Sequence, residues 1–192
     1  VVPSESKKNT IVTNGMSYSK RDGINANSAI VVQVDTKDYG NDYLAGLKFQ
    51  EDLEQKTYKL GKGKAPGETV ARFLKVNSRN LVIPTYQRGI YEMDIHDVFS
   101  DAINTSLEEA MIYMEKIFPG FIDLGSYMTA TETRSSSPVR IVRNITTLES
   151  DEVGGVYPSG EGAGYAGGIV SSAIDGIKCA EKIMMEYHPF SL

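Results

Sequence analysis

The segment from Gly154 to Gly168 reads GGVYPSGEGAGYAGG and carries seven of the chain's 18 glycines. Within it, residues 162–167 match the pattern G-x-G-x-x-G, and an amphipathic helix pattern follows from Val170. Glycines let a backbone approach a ligand closely, and a helix N-terminus offers free N–H groups with a partial positive charge. The segment therefore predicts a ligand-binding turn, with a purely structural glycine-rich turn as the alternative.

A dinucleotide-binding fingerprint of the Rossmann type is excluded by the few residues after this helix. Such a fingerprint opens a β-α-β unit, so a second parallel strand with an acidic residue near its end must come after the helix. Only residues 187–192, or a subset of them, come after the predicted helix, which leaves no room for that strand. We therefore interpret the segment as a strand–loop–helix, with residues 156–157 as the strand, that completes a cofactor site formed elsewhere.

The helix itself is predicted to bury one apolar face. Its apolar residues recur at helical spacing, whereas polar residues such as Lys178 and Glu186 line the opposite side. The predicted buried face consists of Val170, Ala173, Ile174, Ile177, Ala180 and Met184. These residues are expected to pack against a sheet whose other strands are mostly absent from this chain.

The remaining patterns predict an α+β fold. Residues 29–34 form the clearest strand because four of the six are β-branched, and shorter strand signals occur at 10–13, 127–133 and 139–143. Two helical regions are predicted. One runs from the N-cap Asp42 to Leu60, with an apolar stripe.

The second helical region, residues 94–118, is predicted to be a hairpin. Thr105 and Glu108 have the spacing of a capping box, which indicates a fresh helix start inside the region. One apolar stripe lies within residues 95–102 and a second within residues 107–118, and Pro119-Gly120 is expected to end the hairpin.

Composition excludes several classes of protein. A formal net charge of −5 argues against a general nucleic-acid binder, which shows a basic stripe. The single cysteine, Cys179, cannot form an internal disulfide and fits a reducing, cytoplasmic location. No apolar run approaches the roughly 20 residues of a membrane span, so no membrane association is expected. His96 lies near Asp94 and Asp97, but with two histidines in the chain we interpret it as a solvated helix start and predict no metal.

Three separated stretches resemble one protein family. They read VTNGMSYS at 12–19 with RDG at 21–23 and NANSA at 25–29, TETRSSSPVRI at 131–141, and GVYPSGEGAGYAGGI at 155–169 continuing through residue 176. In this order they resemble bacterial FAD-dependent dehydrogenases of the glutathione-reductase type, the NAD/FAD-utilizing dehydrogenases. One departure is Ser159, which stands where the family often has cysteine, so no redox-active thiol is expected there.

The resemblance implies a cofactor site. It places Gly160 and Glu161 beside the FAD ribityl and pyrophosphate, with the carboxylate accepting a hydrogen bond from a ribityl hydroxyl. It places the helix N-terminus at the flavin pyrimidine edge and Arg134, with Ser135 and Ser136, beside the isoalloxazine; for Arg134 a salt bridge at a domain seam is the alternative. The implied cofactor-binding residues are Gly160, Glu161, Gly162, Gly164, Gly167, Gly168, Ile169 and Arg134.

The sequence and the resemblance together predict two domains and a function. Residues 1–126 are expected to form most of a substrate or cap domain, and residues 127–192 the C-terminal segment of an FAD-binding domain. The parent protein would be an oxidoreductase that passes a hydride through FAD to a small-molecule substrate, with NAD(P) left open and no catalytic residue identified. Its N-terminal dinucleotide-binding unit is the expected partner. This chain alone is expected to be inactive, and either to self-associate or to be disordered after Gly154. The alternative is a non-catalytic interaction or cap domain that does not bind FAD by itself.

Overall fold

The computed structural model describes residues 1–78 and 81–187 and divides the chain into two compact units. The first unit comprises Val1–Tyr39 with Lys48–Thr133, and the second comprises Gly40–Leu47 with Arg134–Leu192. The predicted α+β class is confirmed. The predicted boundary is residue 126, whereas the units change after Thr133. It stays a prediction that one unit is a substrate domain and that the other is part of an FAD-binding domain.

The first unit contains two small sheets. Strands β1 (Val2–Pro3) and β2 (Thr13–Asn14) pair antiparallel. Strand β3 (Ala65–Thr69) lies between β4 (Ile90–Glu92), which is parallel to it, and β5 (Tyr127–Thr129), which is antiparallel. The central strand therefore has a ladder partner on each side.

Strand β3 depends on a glycine that the sequence patterns did not identify as part of a strand. A Cβ atom on Gly67 would lie 2.6 Å from Cε1 of Tyr127 and 2.8 Å from Cγ2 of Ile90. Side chains of both neighbouring strands therefore cover the bare glycine backbone, an arrangement that explains glycine inside a strand. The ladder continues past β5, where the Ala130 amide donates to the Pro66 carbonyl at 2.9 Å.

Up to residue 117, the described chain forms five helical segments, of which the second and the last are long and the other three are short. They are α1 (Thr36–Tyr39), α2 (Ala45–Leu60), α3 (Val70–Phe73), a 3₁₀ turn (Ile95–Asp97) and α4 (Asp101–Ile117). The predicted helix from Asp42 to Leu60 is confirmed except at its start. The Asp42 carboxylate accepts from the Leu44 amide at 3.0 Å, so it caps the turn that leads into α2.

The predicted hairpin at residues 94–118 is wrong. The 3₁₀ turn is followed by one continuous helix, α4, whose N-cap is Ser100. Thr105 lies inside α4, and the Glu108 side chain binds Nε2 of His96 instead of reaching back to an N-cap. The capping-box spacing therefore arose by chance. The expected end of the helix before Pro119-Gly120 is confirmed.

Three predicted strands are not formed. Residues 29–34 are irregular in structure, although Ile30 and Val32 pack against the core, because their backbone has no ladder partner among the described residues. Residues 139–143 contribute one isolated bridge, between Arg143 and Ser150. Residues 156–157 are likewise irregular, and Val156 accepts a single backbone bond from the Ser150 amide at 2.7 Å.

The core of the first unit lies where α3, the 3₁₀ turn and α4 meet. Burial of these apolar side chains supplies the main stabilisation of the unit. Its buried members are Val70, Phe73, Ile95, Val98, Leu107, Met111 and Ala130. In the part of the chain that the structure describes, no helix combines the length and the apolar character that crossing a bilayer requires.

The second unit contains α5 (Ile169–Glu186), as predicted, but the apolar face of this helix is exposed. Side chains of the predicted buried face are 49 % exposed at Ile174, 59 % at Ile177 and 71 % at Val170. The buried side of α5 is instead marked by Cys179, which is 4 % exposed. The helix therefore packs on its own unit through its more polar side.

Candidate functional site

Residues 160–168 form a compact series of turns before α5. The Gly160 carbonyl accepts from the Tyr165 amide at 3.0 Å, and the Glu161 carbonyl accepts from the Gly164 amide at 2.8 Å. Gly160 and Gly164 have φ angles of 72° and 82°, a left-handed conformation that favours glycine. These two glycines therefore serve the turn itself.

The segment 137–141 packs along this loop and fixes its outer carbonyl groups. A Cβ on Gly164 would lie 2.6 Å from the Val139 carbonyl oxygen, so the two segments touch directly at this glycine. The contacts are Ser137 Oγ to Gly162 O at 3.3 Å, Ile141 N to Ala163 O at 3.1 Å, Arg140 Nε to Gly164 O at 3.0 Å, and Tyr165 Oη to Ile141 O at 3.0 Å.

A nearly buried ion pair connects the start of the loop to α5. Arg143 donates to both carboxylate oxygens of Asp175, at 2.9 and 2.7 Å, and to the Pro158 carbonyl at 2.6 Å. Asp175 also accepts from the Gly160 amide at 2.9 Å, and the guanidinium lies 3.6 Å from the Tyr165 ring centroid. The Arg143 hydrogen bonds, together with that amide, lower the pKa of Asp175 to about 2. The pair therefore holds the loop against α5.

The sequence patterns missed this ion pair. They assign Asp175 to the polar face of the predicted helix, and Arg143 to the end of a strand that does not form. Their side chains are 13 % and 8 % exposed, so neither is a solvated surface group. One sequence signal could have pointed to Asp175: it lies in a stretch that resembles the family.

The N-terminus of α5 lacks a side-chain cap. Gly168 is the N-cap in an extended conformation, and no acidic residue lies in the first turn. The Ser171 hydroxyl donates to the Gly168 carbonyl at 3.1 Å, so it does not cover the first amides. Ile169, the first residue of the helix, is 91 % exposed. The end of the helix therefore presents N–H groups and a partial positive charge to an approaching group.

Gly162 and Gly167 lie on the open side of the loop. A Cβ on Gly162 or Gly167 would meet no atom within 4 Å, so both backbones face open space. Glu161 is half-buried, and its carboxylate has no hydrogen bond to any residue that the structure describes. Arg134 lies exposed at the start of the second unit, and its place beside a flavin stays a prediction.

A second polar centre lies in the first unit, around His96. The imidazole is 19 % exposed and stacks on Phe73 with ring centroids 4.3 Å apart, so His96 is not solvated as expected. The expected helix start is present, because Asp94 is the N-cap of the 3₁₀ turn. Its Nδ1 lies 2.7 Å from Asp94 Oδ1 and its Nε2 2.9 Å from Glu108 Oε1. Burial opposes protonation of His96, but these two carboxylates outweigh it and raise the pKa of the ring.

Comparison with known proteins gives a family for the chain. The profile of the family described as FAD-dependent protein, C-terminal domain-like, matches residues 1–135. An uncharacterized protein of Clostridium beijerinckii is 43 % identical over 193 residues, which covers 97 % of this chain and 36 % of the relative. The chain thus spans about a third of the length of that relative. On the family match, this chain belongs to the FAD-dependent proteins with this type of C-terminal domain.

Proposed function

We propose that the chain is the C-terminal part of a longer FAD-dependent oxidoreductase, in which the loop 160–168 and the N-terminus of α5 contact the flavin. The observation that carries this proposal is the uncapped N-terminus of an 18-residue helix beside glycines whose backbones face open space. Such a surface admits a flat, electron-rich group and offers it hydrogen-bond donors. Membership of an FAD-dependent family supports FAD as that group.

The residues present fit the expected cofactor. The Glu161 carboxylate, which has no hydrogen bond to the described residues, can accept one from a hydroxyl of the cofactor's sugar-alcohol chain. Gly162 and Gly167 leave room for a close backbone approach. The amides at the start of α5 would stabilise negative charge on a flavin bound there. When bound, FAD supplies hydride transfer, and the protein orients it and tunes its potential.

The Arg143–Asp175 pair gives this surface a fixed shape. Because Asp175 binds both Arg143 and the Gly160 amide, the first residue of the loop is tied to the helix whose N-terminus ends the loop. Electrostatic stabilisation depends on donors that are already in position before a ligand binds. The pair therefore positions the loop and need not touch the cofactor.

The rest of the cofactor site is proposed to lie in another part of the longer protein. The chain spans about a third of the length of its relative, and residues 156–157, which precede its glycine-rich loop, do not form a strand. We propose that an N-terminal dinucleotide-binding unit is the partner that holds the ADP half of FAD, so that this chain alone binds FAD weakly and is inactive. The single cysteine favours a cytoplasmic location; the small-molecule substrate and any role of NAD(P) stay open.

A second candidate function is a non-catalytic cap or interaction domain. The family match stops at residue 135, before the glycine-rich loop, and the main hydrophobic core lies entirely within the first unit. Under this alternative, the longer protein would bind FAD without any help from residues 160–171. Flavin titration of loop variants distinguishes the two functions.

The test uses loop variants in the longer protein. Glu161→Gln keeps the shape of the side chain but removes its charge, and Glu152→Gln is a matched control on an exposed residue of the same unit. Hydrogen bonds to charged groups contribute about 1.5–3 kcal/mol, so FAD affinity should fall roughly 10- to 100-fold for Glu161→Gln alone. Quenching of flavin fluorescence measures the affinity.

A glycine variant tests the backbone approach separately. Gly167→Val should weaken FAD binding while leaving the stability of the FAD-free protein within about 0.5 kcal/mol, because open space surrounds that position. Gly164 is unsuitable for this purpose, since its neighbours require glycine whether or not FAD binds. Unchanged FAD affinity in both Glu161→Gln and Gly167→Val would reject the proposed contact.

A further inference from the structure

Three potential metal ligands converge in the first unit. Glu68 lies near the end of β3, whereas Asp94 and His96 flank the start of the 3₁₀ turn. One ligand atom from each residue lies within 4.8 Å of the others. Two carboxylates and an imidazole are donors that zinc and similar divalent cations accept.

The Glu68 carboxylate is buried and incompletely satisfied. The residue is 2 % exposed, and its Oε1 accepts from the Ile95 amide at 2.6 Å. Its Oε2 is buried and accepts no hydrogen bond from the described residues; the Arg72 Nε atom lies 3.3 Å away on a side chain that is 56 % exposed. The salt bridge with Arg72 offsets part of the cost of burying this carboxylate, but Oε2 still accepts no hydrogen bond from the described residues, so a cation in this cluster would relieve the remaining cost.

His96 has a carboxylate at each ring nitrogen, and one of them can orient the ring as in metal-binding histidines. Glu108 lies 2.9 Å from Nε2, so it can accept the proton on that nitrogen and leave Nδ1 as the ligand atom facing Asp94. A carboxylate on the far nitrogen of a ligating histidine fixes the tautomer and the orientation of the ring. Stacking on Phe73 fixes the plane of the ring as well.

We propose that Glu68, Asp94 and His96 form a binding site for one divalent cation of the zinc type, with Glu108 as a positioning residue. Two carboxylates balance the charge of the ion, and His96, whose Nδ1 releases any proton it carries when the ion binds, is the third ligand. Asp94 is exposed, so the ion has a path from solvent and keeps an open coordination position. The bound cation would tie the end of β3 to the 3₁₀ turn, next to the core of the unit.

The experiment titrates the 192-residue chain with zinc chloride by isothermal calorimetry. The titration uses a His188→Ala background, so that the chain's one other histidine cannot contribute a ligand. The matched pair is Asp94→Asn and Asp97→Asn, which remove the same charge three residues apart; Asp97 lies outside the cluster. Circular dichroism verifies that each variant keeps the fold.

The proposal predicts one zinc ion per chain, with affinity unchanged in Asp97→Asn and lost in Asp94→Asn and Glu68→Gln. Glu108→Gln, which leaves the three ligands in place, should weaken binding about 10- to 100-fold. Cobalt(II) should give a visible d–d spectrum without a thiolate charge-transfer band. No saturable binding, equal affinity in Asp94→Asn and Asp97→Asn, or a charge-transfer band that assigns the ion to Cys179 would overturn the proposal.

Discussion

Replacement of Asp175 by asparagine should loosen the glycine-rich loop from α5. The carboxylate accepts two hydrogen bonds from Arg143 and one from the Gly160 amide, all between 2.7 and 2.9 Å. Asparagine keeps the size of the side chain but can no longer neutralise the guanidinium, which is 8 % exposed. Removal of one partner from such a pair leaves an uncompensated charge and is destabilising.

The pKa of Asp175 gives the size of the effect. A decrease from 3.8 to about 2 corresponds to about 2 kcal/mol of stabilisation at neutral pH. Because the folded-state pKa lies below the unfolded value, this contribution is present above about pH 4 and is lost as the pH falls through about 2. At pH 3, roughly half of it should remain.

Hydrogen exchange of α5 amides measures this local stability. Asp175→Asn should accelerate exchange on the order of 30-fold relative to wild type at pH 7, and clearly less at pH 3. The ratio of the two rates at each pH cancels the pH dependence of chemical exchange. Asp151→Asn, on an exposed residue of the same unit, is the control. If both variants exchange at the same rate, the ion pair does not hold the loop.

Three further predictions concern packing. Gly164→Ala should destabilise the second unit by about 2 kcal/mol even without FAD, because alanine is strained in the left-handed conformation and its Cβ would lie 2.6 Å from the Val139 carbonyl oxygen. Hydrogen exchange measures this loss, and the control variant Gly162→Ala should show none. Gly67→Ala should cost about 1–3 kcal/mol in urea denaturation, because its Cβ would overlap Tyr127. The exposed α5 face should cause self-association, and Ile174→Glu should restore a monomer in light scattering.

The sequence predicted those elements whose signals are local. Helix α5 follows its glycines with an uninterrupted 3.6-residue pattern, and α2 and the end of α4 carry ordinary helix signals. Strand β3 could not be predicted, because its residues 65–68 read A-P-G-E and its pairing depends on Tyr127 and Ile90, which are distant in sequence. The prediction of a strand at residues 29–34 is wrong for the opposite reason. The β-strand propensity of these residues is high, but they have no partner strand among the described residues.

In the candidate site, too, the sequence predicts what depends on local signals and not what depends on tertiary contacts. The glycine-rich loop stood out because seven glycines within one short segment are a local signal. The Arg143–Asp175 pair joins residues 32 positions apart, and the His96 cluster joins β3 to the 3₁₀ turn. Both pairings depend on tertiary contacts that periodicity does not encode. Gly164 was expected to serve the cofactor, whereas contact with Val139 already requires glycine there.

Contact between the loop and the flavin is tested most directly by hydrogen–deuterium exchange on the longer protein, with and without FAD. Residues 160–171, including the first amides of α5, should be protected when FAD binds, because these free N–H groups would then face the cofactor. The exposed turn at residues 151–155 should show no change. Bound FAD with unchanged exchange across residues 160–171 would contradict the proposed site.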